Sequence, residues 1–408
     1  MIRKNSSNYR WYVLAITMLT YGIVTGAARL CMPVLFKQIS DDLGLSVVAI
    51  GTIWGMDPLA GIFIGLPGGL LADRFGVRRT MMVVCILAGI FGALRGISVS
   101  FISMAVTMFL FGLMAAAAPS IVPKVTAEWF GGRRLGMANA LLNIAWAIGA
   151  MAATMFSATV FSPLFGSWRW VMLLYGVPSV LLGFLWFFTV RDPDKSDLSD
   201  DKSQLPDTIA VKIPFREALS RVARMKEVWV LGLITTANWG AGMGLIGYLP
   251  LYLRNIGWTP ATADSAITVL NGFSSLGVIP MVLLSDRIGS RKIVMAISVA
   301  SMALSLGLLP LANTTGIWVL VIACGFLRSG ASALFNIMIF ELKGVGSTYG
   351  GTATGLANTI SMVGAFLAPP LGNSFADINQ GYPFFFWSGL AAISLPMLFL
   401  IKNRTGQS

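Results

Sequence analysis

Long apolar stretches, separated by short polar connectors, dominate the hydrophobic pattern of this chain of 408 residues. A helix that crosses a bilayer needs about 20 predominantly apolar residues, and twelve stretches approach that length. The predicted spans are 11–36, 47–72, 80–98, 101–126, 136–161, 169–190, 228–252, 264–284, 292–312, 315–341, 348–373 and 382–401. The pattern therefore predicts an all-α integral membrane protein with twelve transmembrane helices.

The composition agrees with a chain whose main partner is the lipid bilayer. The sequence is 56% hydrophobic and 11% charged, whereas about a quarter of the residues in a soluble protein are charged. The 44 glycines and 18 prolines do not argue against helices here, because neighbouring helices and water satisfy the backbone groups that they free. A soluble fold is excluded.

The net charge of +12 could indicate a nucleic-acid partner, but the positions of the basic residues give another explanation. Nearly all of them lie in connectors on one side of the predicted topology. The opposite connectors hold Lys37, Arg169 and Arg254, and the spans hold Arg29, Arg95 and Arg328. By the positive-inside rule, both termini are predicted in the cytoplasm, in a plasma or inner cell membrane, and no nucleic-acid role is predicted.

Catalytic and metal-binding chemistry finds little support. The chain has no histidine, so imidazole-based catalysis and His metal ligands are excluded. Cys31, Cys85 and Cys324 each lie inside an apolar stretch with no close partner in sequence, which argues against disulfides and thiolate metal sites. No glycine-rich phosphate loop of the nucleotide-binding type is present either. We predict a protein that is not an enzyme and has no metal or cofactor.

One long polar segment, 191–226, divides the chain and is predicted as a cytoplasmic linker. It separates two six-helix bundles, 1–190 and 227–408, that resemble each other, as in transporters built from repeats. The stretch GLLADRFGVRR (69–79) matches VLLSDRIGSRK (282–292), and 136–150 matches 351–365, which aligns Asn143 with Asn358 and Gly149 with Gly364. The bundles are therefore predicted to be pseudo-symmetric.

At these motifs the sequence resembles the major facilitator superfamily. The residues of the first copy that match the family's signature loop are Gly69, Leu71, Asp73, Arg74, Gly76, Arg78 and Arg79, and those of the second copy include Asp286, Arg287 and Arg291. The resemblance implies a central cavity lined mainly by helices 1, 4, 7 and 10, rocker-switch alternating access, and a monomer. It also implies a gating role, in which Asp73 accepts hydrogen bonds from the N-terminus of helix 11. The alternative is a turn that only anchors topology.

Placing an ionisable side chain inside a membrane span costs free energy, so such residues are candidates for function. Arg29 in helix 1 follows Tyr21 and Thr25 at four-residue spacing, which predicts a polar stripe on a cavity-lining helix. A second stripe in helix 10 consists of Arg328, Ser332 and Asn336. A guanidinium group binds carboxylate or phosphate with two parallel hydrogen bonds, so one arginine in each bundle favours an anionic solute.

The alternative for each arginine is a purely structural role, in which it pairs with a carboxylate or with carbonyl groups at a helix end. Asp57 in helix 2 lies at a depth similar to that of Arg29, so Arg29 either binds substrate or pairs with Asp57. Asp57 itself is the candidate for carrying a coupling proton, or else forms a permanent ion pair. Arg328 has no carboxylate at similar depth, and Arg95 is expected to snorkel to the outer surface.

Four further polar or aromatic residues, Asn143, Asn358, Asn238 and Trp239, could contact a substrate or hold helices together. Two functions remain open. The first is a secondary transporter of a small anion, with a carboxylate favoured, coupled to H⁺, to Na⁺ or to a counter-anion. The second is a proton-coupled exporter of drugs or lipophilic compounds, although Met108 stands where such exporters usually carry an arginine in helix 4.

Overall fold

The computed structural model describes residues 6–191 and 215–400. Within those ranges it describes the backbone alone at Ser6, Ser7, Leu66, Gly69, Leu70, Arg133, Phe215, Ser332, Ala333 and Ser347. Most of the predicted linker, 191–226, thus lies outside the described residues. The described chain consists of helices joined by short connectors and contains no β-strand.

Twelve long helices, numbered α1 to α12, account for the twelve predicted spans in these ranges. They are α1 (Ser6–Thr20, a π-helical segment Tyr21–Ala27, and Ala28–Leu43), α2 (Val47–Phe75), α3 (Val77–Leu94), α4 (Phe101–Trp129), α5 (Gly132–Phe156), α6 (Trp168–Thr189), α7 (Lys226–Asn255), α8 (Pro260–Ile288), α9 (Arg291–Leu308), α10 (Thr314–Glu341), α11 (Gly346–Asn373) and α12 (Tyr382–Met397). A short helix, Phe215–Val222, precedes α7. All but α11 are long and apolar enough to cross a membrane; Gly, Thr, Ser and Asn lower the mean hydropathy of α11.

The chain forms two compact units. Unit 1 comprises Met1–Leu45 and Met56–Ile209, and unit 2 comprises Ser46–Gly55 and Ala210–Ser408. The first turns of α2 therefore belong to unit 2. Within that unit, a Cβ on Gly55 would stand 2.6 Å from the carbonyl oxygen of Phe366 in α11, and the indole N–H of Trp54 donates to the carbonyl of Met243 in α7 (2.9 Å).

Glycine permits close contacts between helix backbones in each unit. In unit 1, a Cβ on Gly149 of α5 would overlap the carbonyl group of Gly22 in α1. In unit 2, a Cβ on Gly364 of α11 would overlap the carbonyl group of Thr236 in α7. Gly149 and Gly364 are the residues that the internal repeat aligns. Each unit thus packs its fifth helix against its first through the same glycine, because only glycine lets two backbones approach so closely.

Many large apolar side chains are exposed along the helices. Phe188 is 74% exposed, and Ile102 is 71% exposed. Exposed apolar surface on this scale is unusual for a soluble monomer and is expected where helices contact lipid, which offers no partner to polar groups.

Candidate functional site

An ion pair in unit 1 joins α1 to α2. The Nη2 atom of Arg29 pairs with Oδ2 of Asp57. The side chain of Asp57 is 2% exposed, whereas that of Arg29 is 27% exposed. A carboxylate buried to this degree needs an opposite charge to offset its desolvation, and Arg29 supplies it. The structure therefore contains the ion pair that the sequence offered as an alternative to a substrate contact.

The surroundings of Asp57 leave Arg29 as the accessible member of the pair. A Cβ on Gly112 of α4 would stand 2.8 Å from the Cα atom of Asp57, so α4 packs directly against α2 at this position. Pro58 follows the acid within α2 and has no N–H to donate to the preceding turn. The backbone of Asp57 thus packs against α4, while its buried carboxylate pairs with Arg29.

The π-helical segment Tyr21–Ala27 immediately precedes the helical turn that carries Arg29. Within it, the hydroxyl of Thr25 donates to the carbonyl of Tyr21 (2.5 Å). A π-helix closes its hydrogen bonds five residues apart and is wider than an α-helix. The four-residue spacing that predicted a common face for Tyr21, Thr25 and Arg29 therefore does not apply across the segment. Single π-turns of this kind are frequent at functional sites.

Arg95 is fully buried in unit 1, so the expectation that it snorkels is wrong. It directly follows α3 and is 0% exposed. Its Nη2 donates to the carbonyl of Ala28 in α1 (2.8 Å), its Nε donates to the carbonyl of Gly92 (3.1 Å), and the guanidinium lies 4.1 Å from the ring centroid of Phe111 in α4. Position along a span could not show whether this side chain faces lipid or other helices.

Arg328 is half-buried in α10 of unit 2. A Cβ on Gly242 of α7 would stand 3.4 Å from its Nη1 atom, so the guanidinium lies beside a helix backbone. Its Nε atom is buried without a hydrogen-bond partner, and no acidic side chain in residues 6–191 or 215–400 forms an ion pair with it. The side chain of Ser332 lies outside the described residues, and Asn336 is exposed.

The remaining candidate amides and aromatic side chain differ in their surroundings. The Nδ2 atom of Asn238 donates to a carbonyl of its own helix (2.9 Å) and to Oγ of Ser394 in α12 (3.1 Å). That is a contact between helices within unit 2. Asn143 is exposed and donates to the carbonyl one turn earlier (3.0 Å). Trp239 and Asn358 are also exposed.

A buried acid that sequence analysis missed lies in α8. Asp264 is 0% exposed, and its Oδ1 accepts from Nη2 of Arg254 in α7 (2.5 Å), whose side chain is 9% exposed. The predicted span began at residue 264, so this acid was placed at its edge. The available signal was Thr259 before Pro260: the threonine hydroxyl caps the helix and proline occupies its first turn. With those two residues taken as the start signal, α8 would have been predicted to begin one turn earlier.

The first copy of the repeated motif lies where α2 ends and α3 begins. Gly76 joins the two helices with a φ of 82°, which glycine adopts without steric strain. Oδ1 of Asp73 pairs with Nζ of Lys124 in α4 (2.5 Å). Arg78 donates through Nε to the carbonyl of Phe187 in α6 (3.1 Å). Within unit 1, the partner of Asp73 is therefore a lysine side chain.

The second copy makes similar contacts in unit 2. Arg291 at the start of α9 pairs with Asp286 (3.5 Å) and with Glu341 at the end of α10 (2.7 Å). In each unit, an ion pair thus links a residue of the motif to the fourth of that unit's six long helices. Of the other motif residues, Gly69 is described only by its place in α2, and Arg74 and Arg287 are exposed.

No group of three or more His, Cys, Asp or Glu side chains suited to a metal occurs in the part of the chain that the structure describes. Cys31, Cys85 and Cys324 are buried as free thiols.

Comparison with known proteins decides the family. The profile of the Major Facilitator Superfamily matches residues 14–369 and, in a second match, residues 231–408. The chain belongs to this superfamily. The resemblance predicted from the repeated motif is therefore confirmed.

Relatives within the superfamily carry names of anion transporters. The probable galactarate/D-glucarate transporter GudP of Bacillus subtilis is 24% identical, over 89% of this chain and 85% of its own length. The probable nitrate/nitrite antiporter NarK1 of Thermus thermophilus is 28% identical, over 96% and 89%. The cis,cis-muconate transport protein of Acinetobacter baylyi is 25% identical, over 90% and 88%.

A solved superfamily structure confirms the fold class. The bacterial homologue of the human lysosomal transporter Spinster, in an inward-facing and unoccupied conformation, matches with a TM-score of 0.80 at 16% identity, over 96% of this chain and 97% of that one. As a superfamily member with membrane-spanning helices throughout, the chain is a multi-pass membrane transporter of small solutes and not an enzyme.

Proposed function

We propose that this superfamily member is a secondary active transporter of a small, carboxylate-type organic anion that works by rocker-switch alternating access. Relatives named for galactarate and D-glucarate, for muconate and for nitrate support an anionic solute. We further propose a monomer in a plasma or inner cell membrane, with both termini in the cytoplasm.

The observation that carries the proposal is the state of Arg328. It is a half-buried cation in α10. Its buried Nε atom has no hydrogen-bond partner, and no acidic side chain among the described residues forms an ion pair with it. A guanidinium taken out of water without compensation is costly, and in a membrane helix such a residue marks a solute path by default. The carboxylate of a solute would supply the missing negative charge and accept hydrogen bonds from the N–H groups of the Arg328 guanidinium.

Arg29 is the second proposed contact. Its side chain is 27% exposed, so a solute could reach it, although it is paired with Asp57. We propose that the solute's carboxylate competes with Asp57 for this arginine. Asp57 then becomes the site of a coupling proton; coupling to Na⁺ or to a counter-anion is the other arrangement compatible with the pair.

The remaining candidates have lesser proposed roles. Solute contacts are assigned to Tyr21, Thr25, Asn143, Asn238, Trp239, Ser332, Asn336 and Asn358. Gating of alternating access is assigned to the motif residues Gly69, Asp73, Arg74, Gly76, Arg78, Asp286, Arg287 and Arg291.

A ligand panel on the purified protein in detergent tests the proposal, because a ligand that binds only the folded state raises its stability. The panel contains D-glucarate, D-glucuronate, cis,cis-muconate, nitrate, a sugar phosphate and lipophilic cations, and Tm is measured for wild type, R328A and R224A. Arg224 is an exposed arginine of the same unit, so R224A is the matched control.

We expect one or more carboxylates to raise Tm in the wild type and in R224A but not in R328A. Stabilisation by lipophilic cations alone would overturn the proposal in favour of a drug exporter. Stabilisation by carboxylates that persists in R328A would remove Arg328 from the site.

A further inference from the structure

Unit 1 brings three charged side chains together at one level of α1. Arg29 pairs with Asp57, and Arg95 donates to the carbonyl of Ala28, the residue directly before Arg29 (2.8 Å). Asp57 and Arg95 also attract each other electrostatically. The cluster therefore contains two positive charges and one negative charge.

Few other titratable groups face this cluster. Cys31 of α1 lies near Arg95, Tyr175 of α6 lies near Cys31, and Tyr21 of α1 lies near Arg29. α4 contributes the sulfur of Met108 (3.8 Å from Nη1 of Arg95) and the ring of Phe111. Thiols and phenols are uncharged near neutral pH, so among the described residues the cluster keeps one excess positive charge.

The excess charge resides on the less accessible arginine. Arg95 is 0% exposed, and its partners are two backbone carbonyls, a thioether sulfur and an aromatic face. Such contacts hold a guanidinium in place but do not neutralise it. An apolar side chain of the same volume would pack here at no electrostatic cost, so packing alone does not explain an arginine.

We propose that Arg95 is a positioning residue that acts as a reserve counter-charge, compensating Asp57 when Arg29 turns from Asp57 to the transported anion. This inference rests on the proposed function. In the empty protein Arg29 compensates Asp57. When the anion takes Arg29, and until Asp57 accepts a proton, the Asp57 carboxylate is left 2% exposed with no ion pair, which is unfavourable. The charge on Arg95 lowers that cost, so the anion can compete with Asp57.

Five variants test the proposal: R95M, R95K, D57N, the double variant R95M/D57N, and R169M as the control. The Kd values for D-glucarate, D-glucuronate, cis,cis-muconate and nitrate are measured by calorimetry on the purified full-length protein. R95M should raise the Kd of an anion that binds the wild type by about tenfold, the scale of charge couplings at partly buried sites. R95K should restore most of the affinity, since it keeps the charge.

The double variant separates an electrostatic role from a structural one. Once Asp57 is neutral there is nothing for Arg95 to compensate, so R95M/D57N should bind with a Kd within about threefold of that of D57N alone. If Arg95 served only to hold Ala28 in place, R95M would raise Kd by the same factor with and without the charge of Asp57. An equal rise in both backgrounds, or R95M binding as tightly as wild type, would overturn the inference.

Arg169 provides a matched control at the same end of α3. It donates to the carbonyls of Gly96 (3.0 Å) and Ser98 (2.7 Å) but pairs with Asp42 (2.8 Å). R169M therefore loosens this end of α3 without removing charge from the cluster, and its Kd should match wild type. Equal weakening in R169M and R95M would contradict the electrostatic role. Absence of binding to the wild type by every anion tested would refute the proposed function instead.

Discussion

The Arg29–Asp57 ion pair predicts an asymmetry between its two single variants. In R29M, Asp57 remains 2% exposed and loses its partner. Breaking a buried pair in this way costs about 3–5 kcal/mol when the remaining charge is uncompensated. The nearby charge of Arg95 offsets part of that cost, so R29M should cost about 3 kcal/mol, the lower end of that range. In D57N, Arg29 is left alone, but it is 27% exposed and water can solvate it. D57N should therefore cost only about 1 kcal/mol, because the introduced amide oxygen can still accept a hydrogen bond from Arg29 and only the charge is lost.

The double variant completes the cycle. R29M/D57N removes both charges, so it should be more stable than R29M by about 2 kcal/mol or more, which is the signature of coupled neighbours. Reversible unfolding in mixed detergent micelles gives the free energies of unfolding for wild type, the two single variants and the double variant. Equal costs for R29M and D57N that simply add in the double variant would refute the ion pair as the structure has it.

Three further predictions concern other parts of the fold. R254M and D264N should each destabilise the protein by about 3–5 kcal/mol in mixed micelles, because each leaves a partner that is only 0% or 9% exposed without its counter-charge; a cost below about 1 kcal/mol for either change would contradict the buried pair. G149A should cost about 1–3 kcal/mol by pushing α5 off α1, and an unchanged Tm would show that the helices do not meet there. Reversing the Asp73–Lys124 pair to D73K/K124D should restore the transport rate that each single change lowers. The stability changes should stay below about 1 kcal/mol, since the side chains of Asp73 and Lys124 are 63% and 33% exposed; a reversal no better than the single changes would rule out the pair.

The helices and the internal repeat could be predicted because their signals are local and long. Twenty apolar residues have few alternatives to a membrane helix. The glycines that align between the repeats, Gly149 and Gly364, make equivalent backbone contacts in the two units. Repeated motif residues likewise lie at equivalent helix ends. The long apolar stretches, the internal repeat and the placement of charges were therefore enough to predict the fold class.

The charged site was less predictable, because its chemistry depends on which helices meet. Depth alone suggested Asp57 as a partner for Arg29, and the structure contains that pair. Depth could not show that Arg95 points inward to α1 and α4, and the Asp264–Arg254 pair depended on a helix start set by a cap. The π-helical segment Tyr21–Ala27 has no periodic signature in the apolar pattern.

Counterflow of a labelled anion in proteoliposomes tests the central claim most directly. Vesicles loaded with unlabelled D-glucarate, cis,cis-muconate or D-glucuronate are placed in a trace of the same labelled compound, with wild type, R328A or R224A in the membrane. We predict that at least one of these carboxylates accumulates transiently with wild type and R224A and fails to do so with R328A. Accumulation of labelled lipophilic cations but of none of these anions would contradict the account.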